Sequence, residues 1–126
     1  FCHNEEKGCI GAEKAAEDLA ERVAGINYII GLDRKGERDS VFYDCDNKEF
    51  EDYVNSFGFE TAIGTSSDIR KLCPAWGIAG VNLSIGYERA HSINEYLYLR
   101  HTRATIEKVK KMLSDKAVGR YEYYEC

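Results

Sequence analysis

The sequence predicts a single α/β domain built on a mixed, mostly parallel sheet with helices on both faces. Three observations carry that expectation. Ala12, Ala15, Ala16, Leu19, Ala20 and Val23 recur at helical spacing over residues 11 to 24, and Gly25 supplies a stop. Residues 26 to 32 follow as Ile-Asn-Tyr-Ile-Ile-Gly-Leu, a mostly buried strand rich in β-branched and aromatic side chains. Val81, Leu83, Ile85 and Tyr87 then alternate with Asn82, Ser84 and Gly86, the period of a strand whose two faces meet different surroundings. With an apparent strand running into the adjacent Glu5 and Glu6, the order strand, helix, strand implies a parallel pair with a right-handed crossover. Both strand ends then share one sheet edge, where ligands bind in open α/β folds. That edge would gather Glu5, Glu6 and Asp33.

The remaining elements follow in order. Val41-Phe42-Tyr43 is expected as a short strand, paired antiparallel after the turn at Arg34-Lys35-Gly36. Asp46 or Asn47 caps a helix that carries Phe50, Tyr53, Val54 and Phe57 on one side and ends at Gly58. Phe59 to Ile63 reads as another strand. Ser66-Ser67-Asp68-Ile69 opens a loop or a helical turn, broken at Pro74. Thr102 begins a last helix through Ile106, Val109, Met112 and Leu113. The tail from Tyr121 to Tyr124 is a terminal strand or an ordered edge, and its tyrosines are reasonable contacts between copies of the chain. No internal repeat, linker or low-complexity segment interrupts the sequence.

The 126 residues are 44% apolar and 31% charged, ordinary for a soluble globular domain. A net charge of −5 without a basic stripe argues against nucleic acid. Lys108, Lys110 and Lys111 read as the solvated face of a helix. No stretch approaches the ~20 apolar residues that span a bilayer, and Phe1-Cys2-His3-Asn4 is not a secretory leader. Five cysteines without CxxC spacing suggest neither disulfide framework nor zinc knuckle, so reduced thiols and a cytoplasmic location are expected. Phe1 is not Met, and only four residues precede the glutamate pair, fewer than a full strand of ~5 requires. A truncated or processed chain, with a missing N-terminal segment, is the expectation.

Candidate chemistry rests on few residues. One of two adjacent carboxylates can bind a metal while the other moves a proton, provided the loop turns locally, which Gly8 and Gly11 permit. The plainer alternative sets Glu5 and Glu6 at the positive end of the first helix. Asp33 closes the second strand, although Asp-Arg-Lys-Gly is also a good turn sequence. His91 falls in the loop after the last strand, flanked by Tyr87, Ser92 and Glu95, which would shape a pocket. Asp68 either caps a helix or holds a ligand in orientation. His3 and His101 are read as structural or exposed.

In this order the motifs resemble the co-catalytic zinc peptidases, the aminopeptidase and carboxypeptidase superfamily. Asn-Glu-Glu-Lys-Gly-Cys-Ile-Gly-Ala at 4 to 12 is similar to that family's Glu-Glu-x-Gly-x-x-Gly stretch, which implies Glu5 as general base and Glu6 as a zinc ligand. Gly-Leu-Asp-Arg-Lys-Gly at 31 to 36 is similar to the segment whose Asp binds the other zinc, implying Asp33. Gly64-Thr65-Ser66-Ser67-Asp68 resembles its Ser-Asp segment, and residues 77 to 95 its last ligand strand and loop, implying His91. The resemblance runs from residue 1 to about 114 and implies the three-layer zinc-exopeptidase fold with two zinc ions per intact site. Cobalt or manganese would suit similar ligands. The family's upstream His-x-Asp region has no counterpart here, so the chain resembles the C-terminal part of a catalytic domain.

The function implied is hydrolysis of a terminal peptide bond in a peptide substrate by zinc-activated water, with the isolated chain inactive or nearly so. The alternative is a non-catalytic α/β domain kept for assembly or partner binding. A cysteine enzyme using Cys9 or Cys73 is a weaker third, because neither has an activating neighbour in sequence.

Overall fold

The computed structural model describes residues 10–23, 25–65, 67–89 and 92–125. Glu5, Glu6 and His91 lie outside the described residues, as do His3, Cys9 and the strand expected ahead of the first helix. Helix α1 (Ile10–Asp18) passes into a 3-10 turn (Ala20–Val23), shorter than the single helix expected to residue 24. Strand β1 (Ile29–Arg34), strand β2 (Asp39–Val41), helix α2 (Lys48–Asn55), strand β3 (Glu60–Thr61) and helix α3 (Asp68–Trp76) follow. Strand β4 (Gly80–Ser84), a ribbon of β5 (Tyr87–Glu88) and β6 (Tyr96–Leu97), and helix α4 (Leu99–Ser114) complete the chain.

Among the described residues the main sheet has the order β1-β4-β2-β3. β4 runs parallel to β1, β3 runs parallel to β2, and β2 and β4 are antiparallel. The α/β class and mixed sheet agree with the sequence reading, but the pairing does not. β2 was expected beside β1, and β4 lies between them. β4 is buried at all five positions, so the most apolar strand takes the centre, while the half-exposed β1 stands at an edge. The chain from β1 to β2 therefore passes over the end of β4. Ser84 supports that passage by donating from Oγ to the Lys35 carbonyl (2.7 Å) and accepting from the Asp39 amide (2.9 Å).

Both faces of β4 are covered. Val81 and Leu83 pack with Phe42, Phe50, Val54 and Phe59 and with Val109 and Met112 of α4. Burying side chains such as Phe50 and Leu83 completely contributes about 1.5–3 kcal/mol each. Gly80 faces α3 so closely that a Cβ there would lie 2.3 Å from Cys73 Sγ. α1 rests on α3 in turn, held by Trp76 Nε1 donating to the Ala16 carbonyl (3.0 Å) and by the Lys71–Glu13 ion pair (2.9 Å).

Further differences have local causes. Asn47, not Asp46, caps α2, its Oδ1 accepting from the Phe50 amide (3.1 Å). Pro74 lies inside α3 instead of breaking it. Pro74 and Arg70 are both exposed, so the carbonyl four residues back that loses its partner faces water. Tyr87 leaves the line of β4 because Gly86 turns with φ +98°. α4 starts before Thr102, and its buried seam is Thr105, Val109 and Met112, while Leu113 is 68% exposed. Thr102 and Thr105 donate to the Ile85 and Ser84 carbonyls as the chain leaves β4 (2.6 and 2.8 Å). In the tail, Tyr121 packs against Phe50 and Tyr53, so of the three tyrosines expected as outward contacts only Tyr124 is exposed.

The Gly80 contact predicts a measurable pair effect. Gly80→Ala should destabilise by about 1–3 kcal/mol through overpacking, and adding Cys73→Ala, which removes the Sγ, should restore part of that loss in urea unfolding. Additive losses would contradict the contact.

Candidate functional site

Between Gly31 and Arg34, β1 carries three residues' advance against two on β4: Gly31 pairs with Asn82 and Arg34 with Ser84. The extra residue makes a bulge across Leu32 and Asp33, a distortion that re-aims side chains and frees main-chain groups from the ladder. The Asp33 amide is satisfied by a side chain, donating to Asn82 Oδ1 (3.2 Å). Its carbonyl accepts from the Tyr87 hydroxyl. Asn82 is only 2% exposed, and its Nδ2 donates to Tyr43 Oη (3.1 Å). Gly31 leaves room for this arrangement, since a Cβ there would meet Ile69 Cγ1 at 3.1 Å and Asn82 Oδ1 at 3.2 Å.

Tyr43 sits in the left-handed region, φ 53°, uncommon for a bulky residue and retained only where surroundings enforce it. Its hydroxyl is also hydrogen-bonded to the Ser67 side chain. Burial pushes the Tyr43 phenol above its ordinary range, and the hydrogen bonds from Asn82 and Ser67 offset part of that rise. Ser67 is the N-cap of α3, its Oγ accepting from the Ile69 amide (3.3 Å). Asp68 occupies the first turn, where the helix dipole favours a carboxylate.

A cleft of about 360 Å³ opens between the carboxyl end of β1 and the head of α3, lined by residues 29 to 33, Ser67, Asp68, Ile69 and Leu72. The structure thus brings Asp33 and Asp68 to one cleft and sets Tyr87 against the Asp33 main chain. Asp68 Oδ1 is buried without a hydrogen-bond partner among the described residues. Carboxylates such as Asp33 and Asp68 are among the ligand types of zinc and manganese, but two of them are fewer than a metal site requires. Among the described residues no three His, Cys, Asp or Glu side chains come together as a metal site.

Ser92 and Glu95 lie in the exposed loop between β5 and β6. Ser92 Oγ donates to the Arg89 carbonyl (2.7 Å) and accepts from the Asn94 amide (3.2 Å), a local turn. His101, read as structural or exposed, is half-buried beside Tyr98 with Nε2 3.7 Å from Glu37 Oε1. Cys45 and Cys73 are free thiols. Burial pushes the Cys73 thiol up to about 12, which disfavours the thiolate that a cysteine nucleophile needs. Sequence reasoning missed Asn82 and Tyr43. The available signal was a polar Asn at an alternating position within an apolar strand.

No family model matches the chain, and no match is found among curated proteins or solved structures. No helix of the described residues is long and apolar enough to cross a membrane.

The raised acids predict an alkaline limit. Burial lifts Cys73 from 9.0 to about 12 and raises Tyr28, Tyr43 and Tyr121 above 10.0. Each group holds its proton more tightly when folded, so the unfolded chain releases protons first as pH rises. The stabilisation is complete below the unfolded values and is lost as pH climbs through them toward the folded values. The urea midpoint should stay level from pH ~7 to ~8.5 and fall steadily above pH ~9; a midpoint that rises there would contradict this burial.

Proposed function

We propose that the chain is a metal-holding part of a co-catalytic zinc exopeptidase that hydrolyses a terminal peptide bond. The observation that carries this reading is the cleft that Asp33 and Asp68 line together at the carboxyl end of β1. The bulge that turns Asp33 at that edge supports it further. When bound, zinc lowers the pKa of a water and polarises the scissile carbonyl. Glu6, Asp33 and His91 are the ligands in this reading, and Glu5 takes a proton and hands it to the leaving amine. Asp68, with Tyr87, Ser92 and Glu95 nearby in sequence or space, holds ligands and shapes the pocket. Zinc is preferred, with cobalt or manganese as substitutes. The substrate is a peptide rather than nucleic acid or membrane, and the compartment is the cytoplasm, where the free Cys45 and Cys73 stay reduced.

A second reading is a non-catalytic domain for assembly. The exposed Ile93, Leu97 and Leu99 on and beside the β5–β6 ribbon favour it, because apolar side chains gathered there suit a contact with another copy.

Titration of chelator-treated protein with zinc separates the two. On the peptidase reading, Asp33→Asn and Glu6→Gln each weaken zinc binding by about tenfold or more, with the oligomeric state unchanged. Unaltered zinc binding together with altered association in either variant would favour the assembly domain.

A further inference from the structure

We propose that a second cleft, beyond the carboxyl ends of β2 and β3, binds a primary amine on a hydrocarbon stem, with the Glu51 carboxylate receiving the ammonium. β2 and β3 are parallel and joined through α2. Their pairing stops where the Ala62 amide donates to the Ser40 carbonyl (2.9 Å). Beyond that bond a cleft of about 630 Å³ opens between residues 41 to 46 and residues 61 to 65. Open α/β sheets receive ligands at this position, and the volume is that of a small-molecule site. Val41, Phe42, Ala62 and Ile63 supply an apolar lining, with Ile63 93% exposed. Gly64 lets one wall close, since a Cβ there would lie 2.9 Å from Val41 Cγ1 and 3.3 Å from Tyr43 Cε1.

One carboxylate of this lining is held in place from the core. Ser40, fully buried on β2, donates from Oγ to Asn55 Oδ1 (2.7 Å). Asn55 Nδ2 donates to Thr61 Oγ1 (2.8 Å), and Thr61 Oγ1 donates to Glu51 Oε1 (3.0 Å). The chain of donors ends on a carboxylate, whose two oxygens accept several hydrogen bonds at once. A carboxylate placed this way meets a cation without first losing side-chain freedom. The nearby cations are engaged elsewhere. Lys48 Nζ lies 3.8 Å from Glu51 Oε1 but 2.7 Å from Asp52 Oδ1. Arg70 donates from Nη1 to the Thr65 carbonyl (2.8 Å), and its Nε lies 3.5 Å from Asp44 Oδ2. Asp44, Asp46 and Glu51 against Arg70 leave the lining net negative, which repels a carboxylate or phosphate ligand and attracts an ammonium. The apolar walls take the stem. An alkylamine and a lysine side chain share this chemistry, and neither needs a metal at the Asp33–Asp68 cleft.

The test is an amide-resolved NMR titration of the full 126-residue chain at neutral pH. The probes are n-pentylamine, n-pentanol, which has the same stem without the charge, and Nα-acetyl-lysine methylamide. The expected result is that n-pentylamine shifts the Glu51, Thr61 and Ile63 amides and binds about tenfold or more tightly than n-pentanol. Glu51→Gln keeps an acceptor for Thr61 and should bring the amine down to the affinity of the alcohol. Comparison of amine with alcohol uses the unaltered chain, so it decides the matter if Glu51→Gln fails to fold. Equal affinity for the two, undiminished amine binding in a folded Glu51→Gln, or shifts that leave this cleft untouched overturns the proposal. Given amine binding, comparable affinity for the lysine derivative assigns the cleft to lysine side chains, and its failure to bind assigns the cleft to free amines.

Discussion

A polar group carried through an apolar centre must find a partner there, and β4 carries Asn82 and Ser84 at its fully buried positions. Each resolves a different irregularity at the same end of the sheet. Ser84 satisfies two main-chain groups of the segment crossing from β1 to β2. Asn82 satisfies the amide freed by the β1 bulge. Without these two side chains, the strand order β1-β4-β2-β3 would take main-chain groups of Asp33, Lys35 and Asp39 out of the ladder without these partners. The cleft that Asp33 and Asp68 line lies beside this polar face of β4.

That division also separates stability from chemistry. Val81 and Leu83 look toward α2 and α4 and the aromatic core of Phe42, Phe50 and Phe59. The opposite face, toward α3, holds the close Gly80–Cys73 approach and the hydrogen-bonded set of Asn82, Tyr43 and Ser67. Substitutions on the first face act mainly through packing. On the second they move the main chain of Asp33 or the cap of α3, and with them the cleft.

Much of the fold was legible because it is local. Asn47 with Phe50, Val54 and Gly58 states a capped amphipathic helix in eleven or so residues, and α2 forms there. The alternation around Val81 likewise announced a strand. What the local pattern does not contain is partner choice. β2 and β4 lie about forty residues apart in sequence, and nothing near Arg34 signals that a later strand will slip between β1 and β2. The seam of α4 was misjudged for a related reason: Thr105 is buried with its hydroxyl on the Ser84 carbonyl, a tertiary bond the helical pattern does not contain, while Ile106 is 38% exposed. At the site, Asp33 and Asp68 were marked by motif and do share a cleft, whereas Asn82 and Tyr43 acquire their meaning only from the bulge.

Seen from chemistry, the cleft offers carboxylate oxygens, a helix head and a main chain clamped from two sides at Asp33. The proposed peptidase reading depends on a metal bound there, and that is the claim to measure. The direct measurement is anomalous diffraction at the zinc edge from crystals of the chain grown with zinc. The account predicts a peak about 2.0–2.2 Å from an Asp33 carboxylate oxygen, within the cleft at the head of α3. An empty cleft, or zinc bound only at surface groups elsewhere, would contradict it.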